Sequence, residues 1–192
     1  MNICVYGASS GSIDKVYHDE AYNLAKEMAK RGHVLVYGGG ANGVMGATAR
    51  GMHDNDGRII GVAPTFFTVD GVLYDKCDEF IYTETMRERK KILEDRSGAF
   101  IIAPGGVGTF DEFFEILTLK QLKRHNKPVA IFNVAGYYDD MLRMLEKTAE
   151  SKFMTPKSLE LFRTFDNIDE MLDYIENYNE KAMDISELKY IK

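Results

Sequence analysis

Short apolar runs, each stopped by a turn and mostly followed by a helical period, recur along this chain and constrain its fold more than anything else. The runs are Ile3–Tyr6, His33–Tyr37, Arg58–Ala63, Phe80–Tyr82, Ala99–Ala103 and Pro128–Asn133. They lack the polar alternation of a half-exposed strand, so they predict strands covered on both faces, as in a parallel sheet. Phe80–Tyr82 carries the weakest signal. Helical patterns lie between them. The first is capped by Asp14, puts Ala21, Leu24, Ala25 and Met28 on one face and is closed by Gly32. Others cover Gly43–Met52, Met86–Arg96, Phe110–Lys123, Tyr137–Ser151 and Ile168–Tyr178. Alternating strands and helices with right-handed crossovers predict an α/β fold, a doubly wound Rossmann-like parallel sheet with helices on both faces. A chain of 192 residues fits one such domain over residues 1–178, followed by a charged C-terminal tail over 179–192. Residues 65–76 have no period and predict a loop beside the active site.

Ligands bind such sheets at the carboxyl ends of the strands, and the glycine-rich turns fall there: after Tyr6, after Tyr37 and after Ala103. The last is the most informative, Pro104-Gly105-Gly106-Val107-Gly108-Thr109-Phe110-Asp111-Glu112. Glycines in a strand-to-helix turn bare the backbone N–H groups, and the helix adds the positive end of its dipole, so the turn suits an anion such as phosphate. The Gly-Lys-Ser/Thr ending of a triphosphate loop is missing, which favours a monophosphate. A helix cap at Thr109 with Glu112 as its capping-box partner would explain those two residues, but not the glycines before them.

The turn Gly38-Gly39-Gly40-Ala41-Asn42-Gly43 fits a dinucleotide fingerprint in form. It follows the second strand, and no acid ends the next strand to hold a ribose, so a nicotinamide cofactor is a weak reading. One wall of a nucleotide pocket, formed by Gly39 and Gly40, is the better one. Arginines in Met86-Arg87-Glu88-Arg89-Lys90 open a helix on the same side of the sheet, where a guanidinium reaches phosphate or purine with fixed donors. Glu112 and Glu115 share a helix face, and Glu112 is the one whose turn faces the glycines.

A net charge of −6 argues against nucleic acid as partner. No apolar run reaches the roughly 20 residues that span a membrane, and the start lacks a basic signal-peptide region, so the expected location is cytoplasmic. Cys4 and Cys77 give no disulfide framework, and Cys4 reads as a small buried hydrophobe. His18, His33, His53 and His125 are scattered without metal-ligand spacing, so neither a metal nor a cofactor is expected.

Three motifs in order, Tyr37-Gly38-Gly39-Gly40 with Gly43-Val44-Met45-Gly46, then Met86-Arg87-Glu88-Arg89-Lys90, then Pro104–Thr109 with Glu112, resemble the LOG (Lonely Guy) family of cytokinin riboside 5′-monophosphate phosphoribohydrolases. The likeness continues through Leu119-Lys120-Gln121-Leu122, Lys127-Pro128-Val129 and Gly136-Tyr137-Tyr138. It implies N-glycosidic cleavage of a nucleoside 5′-monophosphate, AMP or a cytokinin nucleotide, with Arg89 and Glu112 as catalytic residues. It implies that Gly105, Gly106, Gly108 and Thr109 hold the phosphate. Lys90, Met86 and Thr118 would line the pocket with Gly39, Gly40 and Ser9, and the protein would be a homodimer paired near Met86 and Phe110. Arg87 stands where the family usually has His, Thr85 where it often has Asp, and Asp111 where Glu is common. Residues 65–79 show little similarity. Some relatives carry a lysine decarboxylase label, for which the sequence offers no Schiff-base motif. Related folds bind molybdenum cofactor, so a non-catalytic carrier of a nucleotide-like ligand is the alternative.

Overall fold

A computed structural model describes residues 1–67 and 71–190. Its strands are β1 (Asn2–Tyr6), β2 (Val34–Tyr37), β3 (Arg58–Pro64), β4 (Glu79–Thr83), β5 (Ala99–Ile102), β6 (Val129–Phe132) and β7 (Arg163–Phe165). The helices are α1 (Lys15–Lys30), α2 (Gly43–His53), α3 (Met86–Arg96), α4 (Val107–Gln121), α5 (Asp139–Glu150), α6 (Ile168–Glu176) and α7 (Ile185–Leu188). The strands form one seven-stranded sheet in the order β4-β3-β2-β1-β5-β6-β7, every ladder of which is parallel.

Adjacent strand residues go to opposite layers. Ile3 and Val5 of β1 pack with Leu24 and Met28 of α1, Met52 of α2 and Leu172 of α6. Cys4 and Tyr6 pack with Leu93 of α3, Phe113 and Ile116 of α4 and Leu145 of α5. Two hydrophobic layers explain why the central strands show no polar alternation. Burial pushes the Cys4 thiol up to about 12, as suits a packing residue rather than a nucleophile.

The strand order runs outward in both directions from β1 and β5. The chain leaves these two strands toward different edges, which opens a crevice beyond their carboxyl ends. The turns after β1 and β5 therefore meet, and Ala8 N–H donates to Pro104 O at 3.0 Å across the gap.

Several sequence expectations shift. β7 has no apolar run to announce it: it is three residues long, sits at a sheet edge and leaves two of its residues exposed. α4 begins at Val107 with Gly106 as its cap, so Thr109 is not the N-cap. α5 starts at Asp139, because Ala135 (φ 52°) and Gly136 (φ 71°) hold the preceding turn out of helical form. The segment after Tyr178 is partly helical, with α7 held by a capping box between Asp184 and Glu187 and with Leu188 buried. It is tied back to the domain through Gln121 Nε2, which donates to Leu188 O at 3.0 Å, and Thr155 Oγ1, which donates to Glu187 O at 2.8 Å. Residues 191–192, and 68–70 of the expected loop, lie outside the described residues.

Candidate active site

A cavity of about 370 Å³ occupies the crevice. Ser9 and its neighbours after β1 form one wall, the first turn of α4 forms another, and Met45, Phe67 and Met86 supply apolar surface. Gly106, Val107 and Gly108 are exposed at the cavity and Thr109 is buried behind them. The opening N–H groups of a helix have no partner within it, so this wall combines free donors with the positive end of the α4 dipole. Gly105 lies just beneath. A Cβ there would stand 2.1 Å from Thr109 Oγ1, so only glycine lets the turn fold onto its own helix this tightly.

At the floor, Arg89 of α3 meets Glu112 of α4. Arg89 Nη1 donates to Glu112 Oε1 at 2.7 Å, and the two side chains are only 8% and 9% exposed. Arg89 Nε also donates to Val62 O at 3.2 Å, tying the guanidinium to the end of β3. Burial raises the Glu112 carboxyl above the ordinary glutamate value, and Arg89 opposes that rise by favouring the charged form. A carboxyl shifted toward neutrality and facing a cavity is suited to proton transfer.

The aim of Arg89 begins with α3's cap. Thr85 Oγ1 accepts from Glu88 N–H at 3.2 Å, and Glu88 Oε2 accepts from Thr85 N–H at 3.2 Å. This is a reciprocal capping box whose Thr-x-x-Glu pattern is legible in the sequence. It starts the helix one turn before Arg89. Gly38 makes room on the other side: a Cβ there would stand 2.0 Å from Arg89 Nη2. Gly38 was thus missed as a functional position, although the glycine run that contains it was visible.

A second cavity, about 320 Å³, adjoins the first and shares Ser9, Met45, Phe67 and Arg89 with it. Gly38, Gly40, Asn42, Val72 and Leu73 complete its walls. Of the residues singled out from sequence, Ser9, Met86, Arg89, Gly106, Gly108, Thr109 and Glu112 line the first cavity, and Gly40 the second. Gly39 lines neither, although its carbonyl accepts from Tyr74 N–H at 2.9 Å. Lys90 lines neither cavity; its ammonium lies 3.0 Å from Asp111, which does line the first, and 2.6 Å from Glu115. Thr118 is exposed farther along α4 and lines neither cavity. Met45, Phe67, Val72 and Leu73 were not anticipated individually. Their contribution is surface rather than chemistry, and nothing in their spacing marks it.

A family model described as possible lysine decarboxylase matches residues 45–175. The cytokinin riboside 5′-monophosphate phosphoribohydrolase LOG2 of Arabidopsis thaliana is 35% identical over 182 residues, 95% of this chain and 85% of the relative. The probable enzyme of the same name LOGL9, from Oryza sativa subsp. japonica, is 36% identical, covering 92% of this chain and 78% of the relative. The chain belongs to the LOG family. The molybdenum cofactor carrier protein of Chlamydomonas reinhardtii shares the fold at a TM-score of 0.70 and 22% identity, covering 91% of this chain and 96% of that one. The Arg89–Glu112 floor and the α4 cradle thus sit on a LOG family scaffold.

Proposed function

We propose that this LOG family chain is a phosphoribohydrolase that cleaves the N-glycosidic bond of a nucleoside 5′-monophosphate. The observation that carries this reading is the buried Arg89–Glu112 pair at the floor of a cavity whose wall is a helix N-terminus. Relatives named for the same reaction cover most of the chain and support it. The phosphate would sit on the amides of residues 106–109, the ribose over Glu112, and the base toward the second cavity.

Water attacks C1′ as the C1′–N bond breaks, through an oxocarbenium-like state. Glu112, as carboxylate, stabilises the positive sugar and takes the proton from water. The bond's electron pair leaves with the base, which takes a proton from solvent while Glu112 returns to solvent the proton it took from water. Arg89 does not act as a general acid, since guanidinium does not deprotonate in proteins. It orients Glu112 and favours negative charge developing on the departing base. The products are free base and ribose 5-phosphate. Binding energy from the phosphate holds the sugar in place, so AMP should be turned over far better than adenosine. Equal kcat/KM for the two, measured by release of adenine, would overturn the phosphate anchor.

A carrier of a nucleotide-like ligand needs only the cradle. The buried acid beneath it favours hydrolysis. Among the described residues no lysine lines either cavity, which gives lysine decarboxylation by a pyridoxal phosphate Schiff base no support. Pairing of two copies across α3 and α4 would cover Met86 and Val107, which are 39% and 83% exposed, and light scattering at a dimer mass would support it. No described helix is long and apolar enough to cross a membrane, and we place the reaction in the cytoplasm.

A further inference from the structure

Three successive carbonyls leaving β5 are each held by a donor from elsewhere in the chain. Ala103 O accepts from the Tyr138 hydroxyl at 2.7 Å, Pro104 O from Ala8 N–H at 3.0 Å, and Gly105 O from the Tyr137 hydroxyl at 2.7 Å. In a trans peptide the C=O of one residue and the N–H of the next point in opposite directions. A hydroxyl that fixes the Gly105 carbonyl therefore fixes the Gly106 N–H on the opposite side, and Gly106 is at the cavity wall.

We infer that Tyr137 is a positioning residue, whose hydroxyl holds the phosphate turn with the Gly106 amide facing the ligand, while Tyr138 anchors the turn one step earlier, at Ala103, where the next residue, Pro104, has no N–H to aim. This rests on the phosphate-anchor reading above and extends it to residues outside the cavity. The tyrosines are themselves held. Asn133 Oδ1 accepts from Tyr138 N–H at 2.7 Å, and Asn133 Nδ2 donates to Asp139 Oδ1 at 2.8 Å. The left-handed backbone at Ala135 and Gly136 folds the segment back toward β5. The Tyr137 ring lies edge-on to Tyr17 of α1, with centroids 5.6 Å apart, and edge-on to Tyr138 at 4.9 Å. Tyr138 is buried, and burial pushes its hydroxyl well above the ordinary tyrosine value, so it stays a donor.

The test compares wild type, Tyr137→Phe and Tyr138→Phe. Calorimetry measures ribose 5-phosphate binding, kinetics measure AMP and adenosine turnover, and thermal melting confirms folding. Tyr137 is 40% exposed, so its variant keeps the fold even if the buried Tyr138→Phe does not. Loss of the Tyr137 hydroxyl should weaken ribose 5-phosphate binding and raise KM for AMP about three- to tenfold, the range of one net hydrogen bond, and loss of the Tyr138 hydroxyl should do so less. AMP kcat should stay within about twofold, and adenosine kcat/KM should not move. Unchanged ribose 5-phosphate affinity in Tyr137→Phe overturns the inference, as does an equal fall for AMP and adenosine. A wild type that binds ribose 5-phosphate but releases no base from any monophosphate defeats the hydrolase reading alone. The brace is then still judged, for or against, on binding.

Discussion

Glu112 and Glu115 lie three residues apart on α4, and their partners Arg89 and Lys90 are neighbours on α3. On paper they are two equivalent ion pairs joining the same two helices. In the fold they are opposites. Arg89 and Glu112 are nearly excluded from solvent, whereas Lys90 is 17% exposed and Glu115 41% exposed. In the buried pair, desolvation competes with attraction and raises the carboxyl toward neutrality. At the surface, water screens the attraction and little is gained. Depth, more than residue type, separates the pair proposed to react from its neighbour.

The sharpest break in this comparison is the same substitution at both positions. Glu112→Gln keeps the size and an acceptor for Arg89 but removes the proposed base. Turnover of AMP should fall by about 10²–10⁴-fold, the usual contribution of a positioned proton acceptor, while AMP binding by calorimetry stays within a few-fold of wild type. A near-wild-type rate would take Glu112 out of the mechanism. A smaller loss is expected from Gly38→Ala, whose new Cβ would meet Arg89 Nη2 at 2.0 Å. The guanidinium must shift, and a displacement of about 1 Å can cost about 10²-fold in kcat/KM. The obstacle is the end of a long side chain rather than backbone, but that end is buried against Glu112 and Val62 O, so the melting temperature should fall as well.

These two positions also show what was legible in the sequence. The central strands announced themselves through apolar runs, and the α4 glycines and Glu112 through their order between strand and helix. Arg89 stands apart from Arg87 only through the resemblance to the LOG motif, although the Thr85–Glu88 capping box that fixes where its helix starts is also written in the sequence. Gly38 was not, because its role exists only once β2 and α3 are packed together. The same holds for Phe67 and Leu73, which turn toward the cavities from a segment without periodicity. β7 was missed because a three-residue edge strand buries too little to leave an apolar run.

A pH profile sharpens the contrast without mutation. The proposed mechanism needs Glu112 as carboxylate, and its raised pKa means that the proton persists above the ordinary glutamate value of about 4.5. The acid limb of kcat/KM, which reports the free enzyme, should therefore fall above that value, with about tenfold loss per unit below it. Stability moves the other way. The native state holds this proton more tightly than the unfolded chain does, so the contribution of Glu112 to folding free energy weakens as pH rises through the same window. Glu112→Gln should flatten that slope in urea titrations repeated across pH. An acid limb at or below the ordinary glutamate value would mean that the working carboxyl is not desolvated.

The smallest effect belongs to the surface pair. Glu115→Gln removes one of the two carboxylates that engage Lys90 and leaves Asp111 in place. A partly exposed pair that keeps a second carboxylate should contribute no more than about 1 kcal/mol, so unfolding by urea should shift by less than that. The shift should shrink further at high salt, because screening already weakens the interaction at this depth. AMP turnover should stay within about twofold of wild type, since Glu115 lines neither cavity. A loss approaching that of Glu112→Gln would mean that Glu115 reaches the reacting sugar in solution, and depth could no longer be what distinguishes the two acids.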